Sequence, residues 1–78
     1  METWEHLALN VERRYYGTMD APYSDWVVSL PNGQEVEGMQ NILNNLSAQG
    51  YEMVSLIPTS WGKTEVKMLL GIFKRRVR

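Results

Sequence analysis

Apolar and polar residues alternate along the first part of the chain. Leu7, Leu9 and Val11 have mostly polar neighbours, and this period of two predicts a strand over residues 3–16. Glycine, aspartate and proline in the next seven residues predict a loop. A second alternating stretch predicts a strand over 24–30, so the two strands are expected to form a wide hairpin.

The spacing then changes from two to three and four, which predicts an amphipathic helix over 34–49. The apolar positions on this stripe are Val36, Met39, Ile42, Leu43 and Leu46. Glu35 and Glu37 would lie in the first turn, where the helix dipole favours negative charge. Gly38 costs a helix roughly 1 kcal/mol relative to alanine, so a start near residue 38 is the alternative.

Residues 31–38 allow two interpretations. Asn32-Gly33 is a strong hairpin-turn signal. Asn32 followed three residues later by Glu35 resembles a capping box at a helix start. The sequence leaves both open, although the apolar spacing that follows favours the helix.

Gly50 follows the predicted helix directly, where chains often enter the left-handed region that glycine adopts at little cost. Alternation resumes at Tyr51 and predicts a third strand that ends at Pro58. A turn around Gly62 and a fourth strand over 65–78 complete the chain.

The predicted fold is a single α+β domain spanning residues 1–78. It has the element order β-β-α-β-β, and right-handed return of the chain to one sheet favours the spatial order 3-4-1-2. We therefore expect a four-stranded antiparallel sheet with one helix packed on one face.

The segment "LNNLSAQGYEMVS" and the later "FKR" carry a recognisable pattern. It resembles a family of small uncharacterised bacterial proteins whose helix and next strand read "A-x-G-W-E-L-V-S" and whose last strand ends in "F-K-R". Tyr51 stands where that family usually has tryptophan, and residues 17–33 resemble an insertion. The resemblance covers about half of the chain and implies a fold, but no activity.

Composition limits the classes of function. The 78 residues include no cysteine and carry a net charge of −1, so thiolate chemistry and a global attraction to nucleic acid are not expected. No signal peptide or membrane-spanning run is recognisable. We expect a cytoplasmic protein without membrane association.

Candidate chemistry is sparse. His6 is the only histidine, and no nucleophile, carboxylate or further ligand is arranged with it. We therefore expect no catalytic residue, no metal site, no cofactor and no enzymatic activity. Glu52 is expected to pair with a lysine or arginine across the sheet.

Aromatic and basic residues are predicted to meet at one end of the sheet, where the first strand ends beside the last hairpin. The candidate ligand-binding residues are Arg14, Tyr15, Tyr16, Trp61 and Lys63. Aromatic rings with nearby cations suit a small anionic aromatic ligand such as a nucleotide. The alternative role for the same residues is to cover the end of the sheet or to form a subunit contact, and the sequence favours this role over a ligand site.

The C-terminal "KRRVR" at 74–78 holds four cations in five residues. Such a tail can neutralise phosphates, which gives the alternative prediction of a small nucleic-acid-associated protein. The low net charge argues against it, so nucleic acid is not the expected partner.

The fourth strand is apolar on both faces. Met68, Leu70 and Ile72 alternate with Leu69 and Phe73, and a single helix covers only one face of a sheet. A second copy of the chain is the simplest cover for the other face. The sequence thus predicts a non-enzymatic homodimer or higher homo-oligomer that binds a ligand or protein, one version being the sequestration of a nucleotide-like molecule.

Overall fold

The structure is a computed structural model that describes residues 2–77. Its elements are β1 (Trp4–Gly17), β2 (Pro22–Ser29), β3 (Glu35–Glu37), α1 (Met39–Ala48), β4 (Glu52–Trp61) and β5 (Val66–Arg76). The strands form one antiparallel sheet in the order β3-β2-β1-β5-β4. Arg78, the last residue of the predicted fourth strand, lies outside the described part.

The α+β class, the single helix and the antiparallel sheet are confirmed. The neighbours predicted for the first and last strands are also confirmed, because β1 pairs with both β2 and β5. The strand count is wrong: the sheet has five strands, since the short β3 adds an edge beside β2.

The additional strand replaces the predicted first turn of the helix. The backbone N–H of Leu30 donates to Gln34 at 2.8 Å, and that of Gly33 donates to Leu30 at 2.9 Å, which closes a hairpin turn. The Asn32 side chain accepts from the backbone N–H of Gln34 at 2.9 Å, so it supports the turn and does not cap a helix. Of the two interpretations, the hairpin is correct.

The helix begins at Met39 because Gly38 redirects the chain. Gly38 has φ 94°, a conformation outside the helical range that glycine tolerates. Its backbone N–H donates to Trp26 on β2 at 2.7 Å, which holds the end of β3 to the sheet. Glu35 and Glu37 consequently lie in β3 and not in the first helical turn.

The helix ends in the left-handed cap predicted from Gly50, which has φ 87°. The N–H of Gly50 donates to Ser47 at 2.9 Å and that of Tyr51 to Leu46 at 3.0 Å. These two bonds form a Schellman motif, which satisfies carbonyls at the helix end.

The core lies between α1 and one face of the sheet. Ile42 and Leu46 of the helix are 1% and 2% exposed, and they pack with β1, β2 and β5. The buried residues from the strands and the turn after β2 are Leu9, Val11, Val28, Leu30, Leu69 and Phe73. Leu69 and Phe73 therefore face the helix, which decides between the two sides of the last strand.

Strand β4 runs through Pro58, where the sequence predicted its end. Proline lacks the N–H that a central strand donates to its neighbours, but β4 is an edge strand with one unpaired side. Register shifts occur on both sides of Ser60 and between Met53 and Ser55, so this edge is irregular.

Candidate functional site

The end of β1 lies beside the β4–β5 hairpin, as the sequence predicted. The Tyr15 hydroxyl donates a hydrogen bond to the Glu65 carboxylate. Arg13 donates from Nε to the carbonyl oxygen of Val66 at 2.8 Å. These contacts join segments about fifty residues apart.

The predicted aromatic site is nevertheless divided between the two faces of the sheet. Alternation along β1 places Tyr15 on the helix side, whereas Arg14 and Tyr16 point to the other side. Tyr16 stacks on Tyr23 with ring centroids 5.4 Å apart. The pKa of Tyr16 is raised most by desolvation and next by the negative charge of Glu37.

Arg14 forms ion pairs with two carboxylates. Its guanidinium donates to Glu35 at 2.6 Å and to Glu12 at 2.9 Å. The pKa of Arg14 is raised most by its hydrogen bond to Glu35 and next by its hydrogen bond to Glu12. The hydrogen bond from Arg14 and the positive charge of Arg14 lower the pKa of Glu35. Binding an anion here would require breaking these ion pairs.

Trp61 and Lys63 lie at the β4–β5 turn. Trp61 is 64% exposed, and within residues 2–77 no hydrogen bond, ion pair or ring contact joins either residue to Arg14 or the tyrosines. A depression of about 210 Å³ forms at the neighbouring strand ends. Its lining residues are Tyr15, Tyr16, Pro22, Tyr23 and Ser24, so it includes two of the five predicted residues.

The sheet face opposite α1 is called the open face here. Its apolar residues come from four strands: Ala8 on β1, Val27 on β2, Ile57 on β4, and Met68, Leu70 and Ile72 on β5. No helix packs over this face among residues 2–77, although Val27 is only 2% exposed among its neighbours. Met68, Leu70 and Ile72 are partly buried, and Ile57 is 47% exposed.

The open face has a raised side and a recessed side. Leu70 and Ile72 stand on β5, directly beside Asn10 and Ala8 on β1. Small side chains on β1 and β2 leave a hollow of about 380 Å³. Its lining residues are Ala8, Leu9, Asn10, Glu12, Val27 and Ser29. The apolar ridge and the hollow are therefore adjacent and at the same level along the strands.

A second concavity, called the helix-end groove here, lies on the helix side of the sheet. It has a volume of about 370 Å³. Its lining comes from β1, the β2–β3 turn, the end of α1 and β5: Glu5, Leu7, Leu30, Pro31, Asn32, Leu46, Gln49, Tyr51 and Arg75.

Three polar residues in this groove form one network. The Tyr51 hydroxyl donates to Glu5 at 2.7 Å, and the Arg75 guanidinium donates to the same carboxylate at 3.0 and 3.2 Å. Arg75 also donates to the carbonyl oxygen of Gln49 at 3.1 Å and lies 4.5 Å from the centre of the Tyr51 ring. The network thus connects the sheet to the helix end.

The titration of the network follows from these bonds. The hydrogen bond from Tyr51 lowers the pKa of Glu5; Arg75 adds to the decrease, and partial desolvation opposes it. The hydrogen bond to Glu5 and desolvation raise the pKa of Tyr51. At neutral pH the network therefore holds a carboxylate, a neutral phenol and a guanidinium.

Glu5, Tyr51 and Arg75 are not among the site residues predicted from the sequence. One signal was present: Glu5 and Arg75 have opposite charges at facing positions on strands predicted to be neighbours. The position of Tyr51 over this pair depends on the path of the chain after Gly50, which strand alternation does not give.

Within residues 2–77, the cations of the basic tail are paired with acidic residues. Lys74, Arg75 and Arg76 belong to β5, and each has a carboxylate partner. The partners are Glu52 for Lys74, Glu5 for Arg75 and Glu2 for Arg76. The expected pairing of Glu52 across the sheet is confirmed, with Nζ and Oε1 3.6 Å apart.

Comparisons with protein-family models, with curated proteins and with solved structures found no match. The resemblance to a bacterial family therefore stays a prediction. Residues 2–77 contain no group of three or more side chains that could hold a metal ion. None of the helices in this part is long and apolar enough to cross a membrane.

Proposed function

We propose that the protein is a non-enzymatic binding module that assembles as a homo-oligomer through its open face. The observation that carries the proposal is the apolar centre of that face, where Leu70 and Ile72 are only partly buried and no helix packs over them. Burying a fully exposed side chain of this kind contributes roughly 1.5–3 kcal/mol. Covering the area of Leu70 and Ile72 that is still exposed contributes part of that amount and favours association.

The two sheet edges are poor alternatives for assembly. At one edge, β3 has only three residues and two of them are glutamates. At the other edge, β4 contains Pro58 and several register shifts. Short, charged, bulged or proline-containing edges hinder strand pairing between molecules. The face is therefore the better candidate for the interface.

A second copy of the chain fits this face better than an unrelated surface would. A twofold axis parallel to β1 places the Leu70–Ile72 ridge of each copy over the hollow beside Asn10 of the other. Such an isologous interface needs one self-complementary patch. Four strands over ten residues give roughly 600 Å² of projected area, comparable to the roughly 800 Å² that each partner of a stable complex buries.

Paired lysine variants on β5 test this proposal. Leu70→Lys places a charge on the open face and should give a folded monomer. Leu69→Lys places it in the core, where Leu69 is 8% exposed, and should unfold the chain. Gln40→Lys on the exposed side of α1 is the matched control and should keep the mass of the parent.

Sedimentation velocity at micromolar concentrations, together with circular dichroism, gives both readouts. The parent should sediment as a dimer or larger species. A monomeric parent at every concentration, or an unchanged mass for Leu70→Lys, would refute assembly through the open face.

A further inference from the structure

The helix-end groove has the composition of a small-molecule site. Its floor is formed by leucines, of which Leu30 and Leu46 are 5% and 2% exposed. Its volume of about 370 Å³ falls within the range of roughly 300–1,000 Å³ that ligand pockets occupy. An apolar floor with a few polar groups at the rim is typical of such pockets.

The electrostatics of the groove disfavour anions. The guanidinium of Arg75 already donates to both carboxylate oxygens of Glu5 and to the Gln49 carbonyl oxygen. The C-terminal end of α1 adds partial negative charge on the same side. A phosphate or carboxylate would have to displace Glu5, whereas a neutral ligand leaves the network intact.

The rim offers both a donor and an acceptor. Asn32 uses its side-chain oxygen to accept from Gln34, and its amide nitrogen has no partner among residues 2–77. Gln49 uses its side-chain nitrogen to donate to Asn45, and its side-chain oxygen has no partner in the same range. A ligand that carries both N–H groups and acceptor atoms would satisfy these two amides.

One wall of the groove is a fixed aromatic ring. The Tyr51 hydroxyl is bonded to Glu5, and Arg75 lies against the ring at 4.5 Å. The ring therefore keeps its position without a ligand, which reduces the ordering cost of binding. Planar rings bind favourably along such aromatic and apolar walls.

We propose that the helix-end groove binds a neutral, planar, hydrogen-bonding ring of the nucleobase class. The inference rests on the proposed binding role, but not on assembly, because the groove and the open face lie on opposite sides of the sheet. It differs from the aromatic site predicted from sequence in both position and charge preference.

Titration of the full-length protein with nucleosides and their 5′-monophosphates tests the inference. Adenosine, guanosine, cytidine and uridine are the neutral probes, and amide chemical shifts in NMR spectra report the site. At least one nucleoside should shift the amide signals of Asn32, Gln49 and Tyr51, and its monophosphate should bind more weakly. Absence of binding by all four nucleosides, tighter binding of the monophosphate, or shifts confined to Tyr15 and Tyr23 would overturn the inference.

Two isosteric variants separate the site from the fold. Asn32→Asp keeps the oxygen that accepts from Gln34 but replaces the amide donor, so nucleoside affinity should fall by up to about tenfold. Asn44→Asp on the exposed face of α1 is the control and should bind as the parent does. An unchanged affinity for Asn32→Asp would contradict the role given to the groove.

Leu70→Lys separates this inference from the proposed assembly. The substitution lies on the open face, so the variant should bind the nucleoside with the affinity of the parent even if it no longer associates. Loss of assembly in Leu70→Lys with binding retained would support both proposals. A parent that assembles but binds no nucleoside, together with a monomeric Leu70→Lys variant, would overturn the groove alone.

Discussion

The ring of Phe73 occupies the space that a side chain on Gly71 would need. A Cβ atom on Gly71 would lie 2.8 Å from Cε1 and 3.2 Å from Cζ of the ring. Phe73 is 2% exposed and packs in the core with Ile42 and Leu46, so the ring has little room to move. The absence of a side chain at Gly71 therefore allows the phenyl ring to keep its buried position in the core.

Gly71→Ala should destabilise the protein by about 1–3 kcal/mol, because it overpacks this part of the core. The measurement is the free energy of unfolding from urea denaturation. Gly62→Ala is the control: its Cβ would approach the flexible end of Lys67, which can move aside. Adding Phe73→Leu to Gly71→Ala should cost less than the sum of the two single losses. Equal stability of Gly71→Ala and Gly62→Ala would contradict the steric argument.

Gly50 gives a prediction about the backbone alone. No atom lies within 4 Å of a Cβ placed there, so a substitution meets no steric neighbour, but φ is 87°. Gly50→Val should lose about 1–2 kcal/mol of stability, because a β-branched residue strongly disfavours this region. Gly50→Asn should lose less, since asparagine tolerates it better. If chemical denaturation gives Gly50→Val and Gly50→Asn the same free energy of unfolding, the left-handed cap does not constrain the end of the helix.

The lowered pKa of Glu5 predicts how the free energy of unfolding depends on pH. Its pKa is lowered in the folded chain by the Tyr51 hydrogen bond and Arg75, so ionisation of Glu5 favours folding. This contribution is present above the unfolded value of 4.5 and is lost as the pH falls through the lower folded value. In Glu5→Gln the contribution is missing at every pH, so the stability difference from the parent should shrink as the solution is acidified.

Urea midpoints at neutral and acidic pH measure this difference. Glu35, whose pKa is also lowered, remains in both proteins and cancels in the comparison. Asp20→Asn in the exposed β1–β2 loop controls for the loss of one negative charge. A stability difference that grows on acidification would contradict the assigned direction of the pKa shift.

The fold was predictable where one local signal acted without competition. Alternation along β1 and the Gly50 cap gave correct elements because each depends on neighbouring residues only. The helix start predicted within residues 31–38 was wrong because two local signals overlap there. They are the Asn32-Gly33 turn and the apolar spacing from Val36 onward. Pairing with β2 decided the outcome, and strand pairing is not a local property.

The candidate site was less predictable than the fold. The sequence placed the end of β1 near the last hairpin correctly, but it treated Tyr15 and Tyr16 as one surface. Consecutive strand residues point to opposite faces, so the two rings leave β1 on opposite sides, although both line the depression at the end of the strand. The helix-end groove was missed because it requires the length of α1 and the turn after Gly50 to bring Tyr51 over Glu5.

The paired tail gives a last prediction, which concerns nucleic acid. Lys74 and Arg76 lie beside Glu52 and Glu2, so a phosphate must compete with a carboxylate for each cation. The parent should therefore bind single-stranded oligonucleotides too weakly to measure at physiological salt.

The double variant Glu2→Gln, Glu52→Gln removes both competing carboxylates and should acquire weak oligonucleotide binding. Its affinity should decrease with salt, with a logarithmic slope of roughly −0.7 for each phosphate contact. Fluorescence anisotropy with a labelled oligonucleotide measures both proteins. Asp20→Asn, which removes one negative charge away from the tail, is the control for each of the two single variants Glu2→Gln and Glu52→Gln. Tight, steeply salt-dependent binding by the parent would instead establish the nucleic-acid role as the better account of the tail.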